Sequence, residues 1–204
     1  MSELDEIKDE LIQNMDKNLG LIKRINQNRN VLSPEEIYSI YELTFLKIYL
    51  SWESFIGRAF ILYMIGKETD TGYAPTRYVI PRDENHAYSI IKSGHPFPDW
   101  LNIKFVREKS ELFFKNGEPF KPALYTKTNI RKALQDMKTL RNAIVHASRE
   151  SQNKYEKMLI DELGYESNII PGEFLSQIRR KKPKISYISY YKKILEVVSN
   201  EIVR

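Results

Sequence analysis

The feature that most constrains the fold is the stretch 34–66, which is apolar around most of its circumference when it is drawn as a helix. It opens with LSPEEI, in which Ser33 is a good N-cap, Pro34 suits the first helical position and Glu36 completes a capping box. Only a narrow strip of this helix is polar, and it consists of Lys47, Ser51, Ser54 and Arg58. A helix of this kind must be covered on several sides, so we predict the central helix of an all-α bundle.

Other segments also carry apolar residues every three or four positions, which is typical of amphipathic helices. We predict main helices near 3–29, 128–149 and 186–204, and a shorter helix near 152–163. Together with the central helix they make a helical bundle of four to five main helices.

The stretch 67–127 has a different composition, with most of the prolines and several turn signals. We interpret it as an irregular insertion that lies before the helix at 128–149. Short helices are predicted around 83–92 and 99–114, and RYVI at 77–80 is a candidate short strand. The chain is then a single domain, 1–204, with an insertion at about 67–127.

Composition excludes several classes of protein. The 204 residues are 42% hydrophobic and 29% charged, as in ordinary globular proteins. The absence of cysteine excludes disulfides, thiolate nucleophiles and cysteine zinc sites, and it favours a reducing compartment. The polar, acidic start is no signal peptide, and the longest apolar run, 59–65, is too short to span a bilayer, so we expect a cytoplasmic protein without a membrane span. The net charge of +5 is compatible with an anionic partner such as nucleic acid.

The sequence LRNAIVH, 140–146, places three polar side chains on the packing surface of the helix predicted at 128–149. At 100° per residue Arg141 lies at the centre of the apolar stripe, with Asn142 and His146 on one flank. A planar cation, an amide and an imidazole on one side of a helix can bind a phosphate and move protons near it. The alternative is structural, with Arg141 in a salt bridge or reaching solvent and His146 an ordinary boundary residue. We call Arg141, Asn142 and His146 the RNH cluster.

A second misfit is Glu53, which falls in an apolar sector of the central helix. A carboxylate in such a sector needs a cationic partner. Arg141 and His146 are the obvious candidates, across an interface between the two helices. Glu53 either takes part directly in a site or pairs with Arg141 for purely structural reasons.

The RNH cluster resembles the R-x4-H motif of the HEPN superfamily (higher eukaryotes and prokaryotes nucleotide-binding), in which asparagine is the commonest polar residue after the arginine. The segment SWESFIGRAFILYMIGK, 51–67, on a long earlier helix and the insertion before the RNH cluster are similar to the bacterial branch called RiboL-PSP-HEPN. The chain departs from one subgroup, because relatives paired with a nucleotidyltransferase antitoxin carry a tyrosine two residues after the histidine. Here that position is Ser148.

The resemblance implies a helical bundle and a metal-independent endoribonuclease that acts in a toxin–antitoxin or anti-phage system. It implies RNA as the substrate, a homodimer whose two copies build one composite active site, and possible control by an antitoxin protein. The cleavage would proceed by attack of the ribose 2′-OH and leave a 2′,3′-cyclic phosphate. The residues expected in catalysis are Arg141, Asn142, His146 and Glu53, and those expected to bind substrate are Arg58, Lys138 and Arg149.

Two other functions remain open from the sequence. One is a non-catalytic HEPN-type module that binds RNA, a nucleotide or a protein partner through the same cleft. The other is an adaptor bundle in which the match to the motif is coincidental.

The sequence carries two weaker features, a basic and aromatic run and two isolated histidines. The basic and aromatic run RRKKPKISYISYY, 179–191, could bind phosphates and stack bases, although a solvated linker into the last helix is the favoured interpretation. His86 and His95 have no metal-ligand spacing and are predicted to be surface residues. We therefore expect neither a metal site nor a cofactor.

Overall fold

The fold is that of a computed structural model, which describes residues 1–92, 97–146 and 148–204, without the side chain of Arg29. Eight α-helices are present in these residues: α1 Glu3–Gln27, α2 Pro34–Ile65, α3 Glu84–Lys92, α4 Ile103–Phe113, α5 Thr128–Val145, α6 Arg149–Leu163, α7 Pro171–Ser176 and α8 Tyr187–Ile202. The prediction of an all-α helical bundle is confirmed. Among the described residues no helix is both long enough and apolar enough to cross a bilayer.

The predicted short strand at 77–80 is wrong. Arg77 forms only an isolated antiparallel bridge with Phe114, supported by a 2.8 Å hydrogen bond from Tyr78 N–H to Phe113 O. One bridge does not continue into a ladder, so no strand is present in the part of the chain that the structure describes.

The chain divides into two compact units, and the predicted single domain stays a prediction. The first unit comprises Met1–Gln13, Ser51–Leu134 and Leu195–Arg204. Its core is an aromatic cluster around Phe60, whose ring centroid lies 4.8 Å from that of Phe120 and 5.1 Å from that of Phe114. Such pairs add roughly 0.5–1.5 kcal/mol each beyond simple burial. Phe114 and Phe120 are fully buried, so the stretch 67–127 supplies core residues to this unit.

The second unit comprises Asn14–Leu50 and Gln135–Ile194. The capping box predicted at the start of α2 is present, because Ser33 N–H donates to Glu36 Oε2 at 2.8 Å and Glu36 N–H donates to Ser33 Oγ at 3.2 Å. The buried rings of Phe174 and Tyr187 stack with centroids 4.0 Å apart. These contacts fix α7 against the start of α8.

Gly172 in α7 packs directly on the backbone of Tyr38 in α2. A Cβ atom at position 172 would lie only 2.6 Å from the carbonyl carbon of Tyr38, so only glycine fits. The N–H of Gly172 donates to Glu42 Oε1 at 2.9 Å. Burial raises the pKa of the Glu42 carboxyl above its ordinary value, and this hydrogen bond lowers it by less.

Candidate functional site

The helix that carries the RNH cluster ends one residue before the histidine. Helix α5 stops at Val145, although His146 N–H still donates to Asn142 O at 2.9 Å. The predicted continuation to residue 149 is wrong because Ser148 takes an extended conformation and caps α6, accepting a hydrogen bond from Ser151 N–H at 3.2 Å. His146 therefore lies at the junction between two helices.

Within the RNH cluster, the guanidinium of Arg141 contacts both other side chains. Arg141 Nη1 lies 2.8 Å from His146 Nε2 and 3.1 Å from Asn142 Oδ1. A guanidinium can only donate hydrogen bonds, so both partners are acceptors here. In this arrangement Nε2 of His146 is the acceptor of the hydrogen bond from Arg141.

The burial of α5 differs from the sequence-based expectation. Its buried stripe consists of Ile130, Ala133, Leu134, Met137, Leu140 and Ala143. Arg141 is half-buried at the edge of this stripe and not at its centre, since Val145 on the same side of the helix is 47% exposed. His146 is exposed and Asn142 is half-buried. The last turn of α5 thus opens to solvent and leaves the RNH cluster accessible.

Two of the predicted RNA-binding residues belong to the same unit as the RNH cluster. Arg149 is exposed and is the first residue of α6. The first turn of a helix favours anions, because its backbone N–H groups point outward and the helix dipole is positive there. Lys138 is half-buried on α5, one turn before Arg141. Both basic residues thus flank the cluster along the chain.

Glu53 and Arg58 belong to the first unit, where they line a cavity of about 600 Å³. Arg58 Nη1 forms an exposed ion pair with Glu10 Oε2 at 2.7 Å. Glu53 is half-buried, as its position in an apolar sector of α2 requires. The expected pairing of Glu53 with Arg141 stays a prediction.

The basic run at 179–191 has one buried cation, Arg179, in the second unit, and its other four basic residues are exposed. Arg179 is only 5% exposed, its guanidinium lies 3.5 Å from the ring centroid of Tyr190, and Nη2 lies 3.6 Å from Glu162 Oε1. Lys181 Nζ approaches the other oxygen of Glu162 at 3.2 Å. Sequence reasoning missed Glu162, because it lies on α6 and nothing local to the run points to it.

One histidine outside the RNH cluster, His86, lies in the part of the chain that the structure describes. His86 in α3 is half-buried, and its Nδ1 accepts a hydrogen bond from Arg82 N–H at 3.1 Å. His95 lies outside the described residues. Across the ranges 1–92, 97–146 and 148–204, no three His, Cys, Asp or Glu side chains are grouped so that they could hold a metal ion.

Comparison of the chain with protein-family models, with curated proteins and with solved structures finds no match. The functional assignment therefore depends on the chemistry of the site itself. The groups available there are an accessible guanidinium, an amide and an imidazole.

Proposed function

We propose that this protein is a HEPN-type endoribonuclease whose active site is built around the RNH cluster. The observation that carries the proposal is the contact between Arg141 and an exposed His146, with Asn142 on the same guanidinium nitrogen. A cation that binds phosphate next to a group that accepts a proton is the minimum that RNA cleavage by its own 2′-OH requires.

The proposed reaction is an internal transfer of the phosphodiester. Nε2 of one His146 removes the proton from the ribose 2′-OH, the O2′–P bond forms and the P–O5′ bond breaks. The leaving 5′ oxygen takes a proton from a second acid, and a 2′,3′-cyclic phosphate remains. Arg141 stabilises the extra negative charge on the non-bridging oxygens, a type of contact whose loss costs about 100-fold or more in rate.

Binding of RNA must rearrange the hydrogen bond between the two residues. Nε2 cannot act as a base while it accepts a hydrogen bond from Arg141. A phosphate is a stronger acceptor for a guanidinium than a neutral imidazole is, because both partners are charged. We infer that the substrate draws Arg141 onto its oxygens and leaves the lone pair of Nε2 available. Asn142 then orients either the phosphate or the imidazole of His146.

We propose that the second acid is His146 of another copy of the chain, in a homodimer with one composite site. In such a dimer the exposed Val145 beside the cluster would be covered, which would remove apolar area from water. Such a protein would act in the cytoplasm on cellular or phage RNA, and an antitoxin would be its natural control. Glu53, Arg58, Lys138 and Arg149 remain the candidates for supporting Arg141 and for binding RNA.

The test is cleavage of a single-stranded RNA oligonucleotide in EDTA, with analysis of the 3′ ends. We expect the wild-type protein to leave cyclic phosphate ends, and His146→Ala and Arg141→Ala to lose activity while keeping their helical circular dichroism. His86→Ala and Arg24→Ala are matched controls, because each removes the same side chain at a position far along the sequence from the cluster.

Two outcomes would overturn the proposal. One is cleavage at the wild-type rate by His146→Ala. The other is a wild-type protein that binds RNA without cutting it, which would favour the non-catalytic binding module.

A further inference from the structure

The cavity of about 600 Å³ in the first unit is formed by faces of three helices and one loop. Helix α2 contributes Glu53, Gly57 and Ile61, which share one face because they are four residues apart. Helix α3 contributes Glu84 and Tyr88 at the same spacing. This volume lies in the range of small-molecule sites.

The walls of the cavity carry an excess of negative charge. Glu3, Glu6, Glu53 and Glu84 line it, and Arg58 is the one basic residue among the described residues of the lining. Two ion pairs touch this set, since Arg58 binds Glu10 at 2.7 Å and Lys67 binds Glu3 at 2.9 Å. With both outside partners counted and Glu53 left aside, the carboxylates still outnumber the cations by two. Glu3, Glu6 and Glu84 stabilise the first turns of α1 and α3. The same three carboxylates also line the cavity and make it negative.

Aromatic rings line the same cavity. Tyr88 is 38% exposed and Phe97 is 78% exposed, which is a large exposure for phenylalanine. Trp100 forms a more protected wall, with its ring centroid 5.3 Å from that of Phe60 and 5.8 Å from that of Phe105. Aromatic faces attract cations through their quadrupole and also bind apolar groups.

Gly57 is what allows Trp100 to occupy this position. A Cβ atom at residue 57 would lie 2.8 Å from Trp100 Nε1 and 3.1 Å from its Cδ1. The indole therefore packs on the bare backbone of α2, and Trp100 is part of the cavity wall. Any larger residue at position 57 would displace the ring.

We propose that this cavity is a binding site for a small organic cation, namely an amine with an apolar body. The carboxylates attract the ammonium group, and the aromatic and aliphatic walls bind the hydrocarbon part. Binding of the amine depends on neither Arg141 nor His146, although Glu53 and Arg58, two candidates of the proposed RNA site, belong to the lining.

The test uses three probes of the same shape and different charge, namely 4-phenylbutylamine, 4-phenylbutanol and 4-phenylbutyrate. The chain has two tryptophans, so Trp52→Phe leaves Trp100 as the sole indole reporter in the wall of the cavity. Calorimetric titration of the unmodified chain is the second measurement. We expect the amine to bind about tenfold more tightly than the alcohol, and the butyrate most weakly.

Two variants assign the binding to this cavity. The double variant Glu6→Gln and Glu84→Gln is expected to weaken amine binding about tenfold and to leave alcohol binding unchanged, since it removes charge and keeps shape. Its matched control is Glu35→Gln with Glu166→Gln, which removes equal charge at exposed positions outside the lining. Gly57→Ala is expected to weaken the amine and the alcohol alike, whereas Gly20→Ala, where nothing lies within 4 Å of the added Cβ, should change neither.

The proposal is overturned if none of the three probes binds, or if the amine and the butyrate bind equally well. Equal loss of amine binding in the cavity variant and in its charge-matched control would also overturn it, because the attraction would then come from the net charge of the whole chain.

Discussion

Nη1 of Arg141 lies 2.8 Å from Nε2 of His146, so the two proposed catalytic side chains are hydrogen-bonded to each other. The bond occupies the lone pair that a general base needs. It also places the guanidinium where the phosphate must arrive if His146 is to reach the neighbouring 2′-OH. The contact that binds the substrate would therefore also activate the base.

Arg141→Lys is expected to lose about 100-fold in cleavage rate although the charge is kept. A lysine is a point charge on a flexible stem, and it cannot bind two phosphate oxygens with the fixed fork of a guanidinium. The measurement is a single-turnover rate with a labelled oligonucleotide. Arg24→Lys is the control, and a rate for Arg141→Lys within twofold of the wild type would contradict the proposed role.

Val145→Asp is expected to reduce both dimer formation and RNA cleavage. Val145 is 47% exposed beside the RNH cluster, and a charge there would be buried in the proposed composite interface. Val197→Asp is the matched control, because Val197 is 46% exposed on α8. Light scattering at several concentrations, together with the cleavage assay, separates the two variants. Equal behaviour of both would argue against an interface at Val145.

Ser148→Ala is expected to lower the free energy of unfolding by about 1 kcal/mol, the usual cost of losing an N-cap. Ser148 Oγ accepts from Ser151 N–H, and aspartate can do the same. Ser148→Asp should therefore retain wild-type stability in urea denaturation. If alanine and aspartate are equally destabilising, the cap does not hold the junction that positions His146.

Gly172→Ala is expected to destabilise the fold by about 3 kcal/mol, because its Cβ would overlap the carbonyl group of Tyr38. Gly20→Ala is the control within the same unit. It lies inside α1 with open space around it, so alanine should stabilise the protein by about 0.5–1 kcal/mol. Urea denaturation of both variants measures the two opposite signs.

Glu42→Gln is expected to stabilise the protein at pH 7 and to have little effect near pH 4. Burial raises the pKa of this carboxyl in the folded chain, so just above the ordinary carboxyl range the folded state binds more protons than the unfolded state. The free energy of unfolding then falls as pH rises through that window. At neutral pH the folded chain still bears the cost of holding the ionised Glu42 carboxylate partly buried. Glutamine keeps an oxygen for Gly172 N–H and does not ionise. Urea denaturation at both pH values checks this, with the exposed Glu35→Gln as control, and an equal gain at both would refute the assignment.

Capping residues in the sequence predicted the ends of the helices where such residues are present. The bounds of α2 follow from Ser33, Pro34 and Glu36 at one end and from Gly66, which has a φ of +90°, at the other. The end of α5 was mispredicted because no glycine or proline follows Val145 before residue 149, and a single capping serine marks the start of the next helix. Sequence spacing placed Arg141, Asn142 and His146 close together. In the structure the guanidinium of Arg141 contacts both other side chains.

Features that depend on residues far apart in the chain could not be predicted. The cavity draws carboxylates from α1, α2 and α3, and no pattern within one segment brings them together. The same holds for Gly57. Only glycine fits there, because the indole of Trp100 packs against its backbone. Burial of Arg179 depends on Glu162, which lies on another helix.

The buried position of Arg179 changes how the net charge of +5 should be understood. A cation that is already neutralised by Glu162 inside the fold cannot displace counterions from a nucleic acid. Each phosphate contact to a single strand contributes about 0.7 to the slope of log affinity against log salt. Any affinity of this protein for RNA will thus depend less steeply on ionic strength than a count of its arginines and lysines suggests.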